Sequence, residues 1–223
     1  MCGRFDCHAE LITIIKEFKI DRSAVDYHPS YNIAPTRQIV TVKDDGTRHL
    51  AQCRWGFIPS WADDLKIGYK MINARSETVA VKPTFRDAFK NHRCLVVANG
   101  FFEWRAVGKS KIPVYIRLKS HQLIGFAGLY NAWKSPAGED ICTCAIITTS
   151  ANDLLRPVHD RMPCIIPKDK EDSWLDPKIN EKDVLMSLLK PYPSDQMEYY
   201  EVSPIINKPG HDAPEVIQPV KES

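Results

Sequence analysis

No stretch of the 223-residue chain approaches the roughly 18 consecutive apolar residues from which a membrane span is read. The opening MCGRFDCHAE lacks the basic-then-apolar layout of a secretory signal, so a cytoplasmic location is expected. A dominant charge of one sign is also missing, since 30 Lys plus Arg stand against 28 Asp plus Glu, a formal +2. Net charge therefore does not announce a nucleic-acid binder, and any such function must rest on a local patch. The seven cysteines (2, 7, 53, 94, 142, 144 and 164) contain no CxxC pair and no regular spacing. Without a signal peptide they read as reduced thiols, mostly small buried hydrophobes. Cys142 and Cys144 form a CTC pair that on a strand points both thiols to one face. A metal site there would need two more ligands, and neither metal nor cofactor is expected. Internal repeats, low-complexity tracts and long linkers are absent as well.

What remains is an ordinary globular composition, 43% hydrophobic and 26% charged, in a chain long enough to bury a core without staples. Residues 9–19 place Leu11, Ile12, Ile14, Ile15 and Phe18 on one helical face. YHPSYNIAPTR reads as an ordered loop. Segments 38–43 and 49–55 read as a hairpin about Asp45-Gly46. Residues 82–92 suit a short helix with Pro83 in its first turn. Segments 93–104, 112–119, 123–130 and 141–149 read as strands, the later ones apolar enough to be buried on both faces. A short helix (ANDLLRPV), a strand (MPCIIP), two helices (KDKEDSWLD and EKDVLMSLLK) and a strand over 198–206 complete the chain. Strands in the middle with helices toward both ends predict an α+β single domain over 1–223, built on curved, mainly antiparallel sheet with flanking helices. Residues after about 209 read as a loosely packed tail.

Cys2 is the most informative residue. Aminopeptidases remove Met1 when the next side chain is small, and the new terminus would carry an α-amine and a thiol two carbons apart. A 1,2-aminothiol condenses with an aldehyde to an imine, and the thiol then closes a five-membered thiazolidine. With reference pKa values near 7.8 and 10.4, an α-amine is unprotonated at neutral pH about two hundredfold more often than a lysine. A thiol near 8.5 needs only modest help to form thiolate. Four other stretches set polar residues in apolar or turn-like surroundings: Arg4 in MCGRF; Asn73, Arg75 and Glu77 in INARSET; Glu103 and Trp104 in NGFFEW; and His159, Asp160 and Arg161 in VHDRMP. Taken singly, each has a bland reading as a satisfied loop histidine, a paired carboxylate or a solvated arginine.

Taken together, MCGRF, YNIAP (31–35), RWGFIPSWA (54–62), INARSET (72–78), RCLVVANGFFEW (93–104) and HDRMP (159–163) appear in the order and spacing of the SRAP family, the SOS response-associated peptidases. The chain resembles that family from Met1 to about residue 219. The resemblance implies a protein that traps ring-opened abasic sites in single-stranded DNA as a thiazolidine through Cys2. It implies that Asn73 holds the Cys2 amine and the sugar, that Glu103 shuttles protons, and that His159 protonates the sugar ring oxygen. Arg4, Arg75, Arg161 and Arg86 would grip phosphates, while Trp104, with Trp61 or Phe85, would stack on bases. It further implies the family's cleft-bearing fold, a monomer, no membrane partner, and association with the nucleoid at damaged DNA. YNIAP is assigned no chemistry beyond shaping the cleft wall. Competing readings are a thiol peptidase or autopeptidase using Cys2, and a non-covalent reader of modified or single-stranded DNA.

Overall fold

A computed structural model describes residues 2–220 of the chain. Strand β1 (Phe5–Cys7) leads into helix α1 (Leu11–Glu17), followed by β2 (Ser30–Ile33), β3 (Gln38–Asp44) and β4 (Arg48–Trp55). The short β5 (Asn73–Arg75) runs into α2 (Ser76–Val79), and α3 (Arg86–Asn91) precedes β6 (Arg93–Ala98) and β7 (Gly100–Val107). Then come β8 (Ser110–Leu118), β9 (Ile124–Lys134), β10 (Asp140–Ser150), β11 (Arg161–Pro163), α4 (Glu171–Leu175), α5 (Lys182–Ser187) and β12 (Met197–Glu201).

The strands form two bodies. One is an antiparallel sheet in the order β12-β8-β7-β1-β2. In the other, pairing runs β10-β4-β3-β6-β9 and returns from β9 to β10, closing a five-stranded barrel. Closure removes the open strand edges that a flat sheet would leave. Among the described strands, the pairings of β10 with β4 and β5 are parallel, as is the isolated bridge between Arg22 and His49. The two bodies meet through aromatic edges. Phe5 packs against Trp55 and Phe126 at 5.1 and 6.0 Å, and Phe101 against Phe126 at 5.8 Å, in the T-shaped geometry that ring quadrupoles favour. The expected α+β single domain of mainly antiparallel sheet is thus the fold found. Among the described residues no helix is long and apolar enough to cross a membrane.

Several local expectations need correction. Segment 93–104 is two strands in different bodies, split at Asn99, whose side-chain oxygen accepts from the His8 and Ala9 amides at 2.8 and 3.1 Å. Part of YHPSYNIAPTR is strand β2 and not loop. ANDLLRPV is a run of turns, begun when Asn152 Oδ1 accepts from the Leu155 amide. The strand over 198–206 stops at Glu201, with a 3-10 turn at Pro204–Asn207. On α1 Ile12 is 71% exposed, so the buried stripe is Ile14 and Phe18.

Nor are residues 210–220 a loose tail. Val216 is fully buried with Phe102, Tyr115, Val202 and Ile206. Asp212 accepts from Ser30 Oγ and the Tyr31 amide, and the Val220 amide donates to Glu201. The reading of all seven cysteines as reduced thiols also fails, because Cys53 and Cys142 form a disulfide. Their separation of 89 residues hides the pair in the sequence; the β4–β10 contact brings their Cα atoms to 4.7 Å. The other five cysteines are buried.

Candidate functional site

Asn73 is placed by an edge that two strands share. Strand β4 pairs with β10 at Trp55–Cys144, and β5 continues along the same edge at Asn73–Ile146. The chain leaves through Gly56, whose amide donates to Cys144 O at 2.8 Å, and returns at Ile72, whose carbonyl accepts from Ile146 at 3.0 Å. Gly56 sits at φ +138°, and a Cβ there would lie 2.6 Å from Gly68 O. The glycine of RWGF therefore lets two backbone segments touch. Held this way, Asn73 Nδ2 donates to the carbonyl of Cys2 at 2.8 Å. Its Oδ1 is buried with no hydrogen-bond partner among the described residues.

Glu103 arrives from the other body. Along β7 side chains alternate: Phe101 belongs to the main core that includes Cys2, whereas Phe102 and Trp104 belong to the smaller cluster beneath residues 202–217. Glu103 therefore shares the Phe101 face, and it is 95% buried. Burial raises its pKa, and the His159 imidazole pulls the other way. The Cys2 side chain is wholly buried. That burial, reinforced by the nearby Glu103 charge, pushes the thiol up, against the expectation that a thiolate forms with modest help. His159 is half-buried, and its Nδ1 accepts from the Arg161 amide at 3.0 Å. Asp160 Oδ1 lies 2.8 Å from the same Nδ1, placed to pair with a charged ring. Cys2, Asn73, Glu103 and His159, drawn from segments far apart in the chain, thus form one cluster.

The arginines separate into two kinds. Arg161 binds both carboxylate oxygens of Glu77 and the Thr148 carbonyl at 2.6 Å, with only 12% of its side chain exposed. Arg4 Nη1 donates to Asn32 Oδ1 at 2.6 Å and to Ile206 O at 2.9 Å. Both are engaged by the protein itself, which the expectation of phosphate grips did not foresee. Arg75 and Arg86 are exposed and make no side-chain hydrogen bond or salt bridge with described residues. Trp104 donates to Asn207 Oδ1 at 2.8 Å. Trp61 is 64% exposed, whereas Phe85 is buried against Phe57 and is no stacking surface. Sequence reasoning passed over Asn32, which also donates to the His211 carbonyl at 2.7 Å. The signal for it was its place in YNIAP, an amide in an otherwise apolar stretch. Among the described residues no group of three or more His, Cys, Asp or Glu could hold a metal ion.

A barrel docked on an antiparallel sheet, with a buried near-terminal cysteine held by an asparagine amide beside a buried carboxylate, defines a narrow class of α+β proteins. The chain belongs to the family described as SOS response associated peptidase (SRAP), matched over residues 1–209. It is 49% identical over 222 residues to the abasic site processing protein YoqW of Bacillus subtilis, covering 98% of this chain and 99% of that one. With the abasic site processing protein HMCES of Xenopus tropicalis it shares 32% identity over 228 residues, covering 87% of this chain and 67% of the other. A crystal structure of a Bacteroides thetaiotaomicron protein, 28% identical, superposes with a TM-score of 0.91 over 99% of this chain and all of that one.

Proposed function

We propose that this protein processes abasic sites in DNA, and that it does so by capturing the ring-opened sugar covalently on Cys2. The names of its relatives support the first part. The second rests on one observation, the Asn73 amide holding the Cys2 carbonyl at 2.8 Å beside the buried Glu103. The chemistry requires that Met1 be removed, so that the Cys2 nitrogen becomes a primary amine. That nitrogen adds to the sugar aldehyde at C1′, and loss of water gives an imine. The thiol then adds across the C=N bond: sulfur bonds to carbon, and its proton ends on nitrogen, closing a thiazolidine. Because burial keeps the Cys2 sulfur protonated, the thiol is consumed by ring closure and need not ionise beforehand. Glu103, whose pKa the same burial raises, protonates the departing hydroxide, takes back the proton from nitrogen, and relays the thiol proton to that nitrogen as the ring closes. His159 donates toward the sugar ring oxygen and favours the open aldehyde.

The substrate on this reading is a single strand, bound by a monomer at the nucleoid. Exposed Arg75 and Arg86 meet the phosphates, and Trp61 offers a stacking face. An imine left open would let the strand break by β-elimination, so the thiol decides between capture and cleavage. Met1-trimmed protein, verified by intact mass, should give a heat-stable adduct with an abasic single-stranded oligonucleotide on a denaturing gel. Cys2→Ala, which keeps the amine, should give strand cleavage and no stable adduct. A stable adduct from Cys2→Ala would sink the thiazolidine, and no adduct from the trimmed wild type would sink covalent capture.

A further inference from the structure

The barrel holds a second sulfur site, remote along β10 from the cluster just described. Strand β10 carries Ile146, the partner of Asn73, and four residues earlier Cys142, disulfide-bonded to Cys53 of β4. The Lys43 ammonium from β3 lies 3.2 Å from Cys142 Sγ and 3.8 Å from the centre of the Tyr130 ring. This lysine is half-buried, and its electrostatic neighbours are Cys94, Cys144 and Asp45. Beside Cys142 and over the Tyr130 ring, the ammonium is placed to stabilise a thiolate on that sulfur. The two sulfurs of the disulfide differ in access, because Cys53 is wholly buried while Cys142 is half-buried.

We propose that Cys53 and Cys142 are a reversible redox pair whose co-substrate is a low-molecular-weight or protein thiol, with Cys142 as the sulfur that meets it and Lys43 as its activating cation. In the reducing direction an incoming thiolate, drawn by Lys43, bonds to Cys142 Sγ, and the S–S electron pair leaves on Cys53, which takes up a proton. A second thiolate removes the first as an external disulfide, and the Cys142 thiolate is left beside the ammonium. Two external thiolates become one disulfide, Cys53 gains a proton, and Cys142 is left as thiolate. In the oxidising direction the same Cys142 thiolate attacks an external disulfide, and Cys53 then expels the remaining thiol. Attack through Cys142 in both directions follows from access and from the neighbouring cation, which stabilises thiolate. Cys94 and Cys144 are spectators: both are buried, and burial holds the Cys94 thiol up at about 12 and the Cys144 thiol well above its ordinary value.

The test uses the full chain. Denatured after incubation with glutathione disulfide, it should take up five maleimide labels, matching the five free cysteines, and seven after dithiothreitol, matching the seven in the sequence. Peptide mapping should find Cys53 linked to Cys142. In reduced protein Lys43→Met should slow attack of Cys142 on glutathione disulfide about tenfold, as expected for a thiol losing its stabilising cation. Seven labels under both conditions, a linkage through Cys144, or an unchanged rate of attack in Lys43→Met would each overturn the proposal.

Discussion

Glu77 shows at the level of one residue how much an arginine's neighbours decide. Its carboxylate binds Arg161, and that hydrogen bond holds its pKa below the ordinary 4.5. A depressed carboxylate adds stability that is present above 4.5 and lost as pH falls through the folded value. The side chain is half-exposed, so the pair is worth less than about 1 kcal/mol. Glu77→Gln should therefore lower stability slightly at pH 7, and the difference from wild type should shrink in urea melts as pH falls below 4.5 through the folded value. A difference independent of pH would mean that Glu77 acts through packing and not charge. The sequence announced Glu77 and Arg161 as neighbours of chemistry, but residues 84 positions apart gave no sign that they bind each other. The same limit applies to Cys53 and Cys142. Residue type was readable; partnership was not, because it is made by strand pairing across the chain.

At the level of elements, periodicity was a sound guide wherever one face is buried. Strands β3, β4, β8, β9 and β10 fall within a few residues of their expected bounds. It failed where a polar side chain, and not apolar pattern, sets the break. Asn99 divides an unbroken apolar run between two bodies, and Asn152 turns an apparent helix into successive turns. The shared edge of β10 was likewise hidden, since nothing local says that β5 will extend the line of β4. That junction depends on Gly56, whose positive φ and 2.6 Å clearance to Gly68 O leave no room for a methyl group. Gly56→Ala should cost about 2–4 kcal/mol, the sum of left-handed strain and overpacking. Chemical denaturation monitored by circular dichroism measures it, and a cost below about 0.5 kcal/mol would show that the Gly56–Gly68 contact is not maintained in solution.

For the whole molecule, the α+β class and the gathering of Cys2, Asn73, Glu103 and His159 were anticipated, while the barrel's closure and the role of the last dozen described residues were not. Those residues are polar enough to read as a tail, yet Val216 is wholly buried. Ending the chain at Pro209 removes that side chain and the Asp212 hydrogen bonds, a loss of about 2–4 kcal/mol. Urea unfolding of the shortened chain should show it, and an unchanged midpoint would return these residues to the status of a tail. Their placement has another consequence. The barrel has no outer strand within its ring, but the five-stranded sheet has two, β2 and β12. Asp212 occupies the Tyr31 amide on the first, and Val220 donates to the Glu201 carbonyl on the second. One segment thus obstructs both places where a foreign chain would add to the sheet. Proteolytic nicking near 209 would then be noticed first as self-association, before any change in the covalent chemistry.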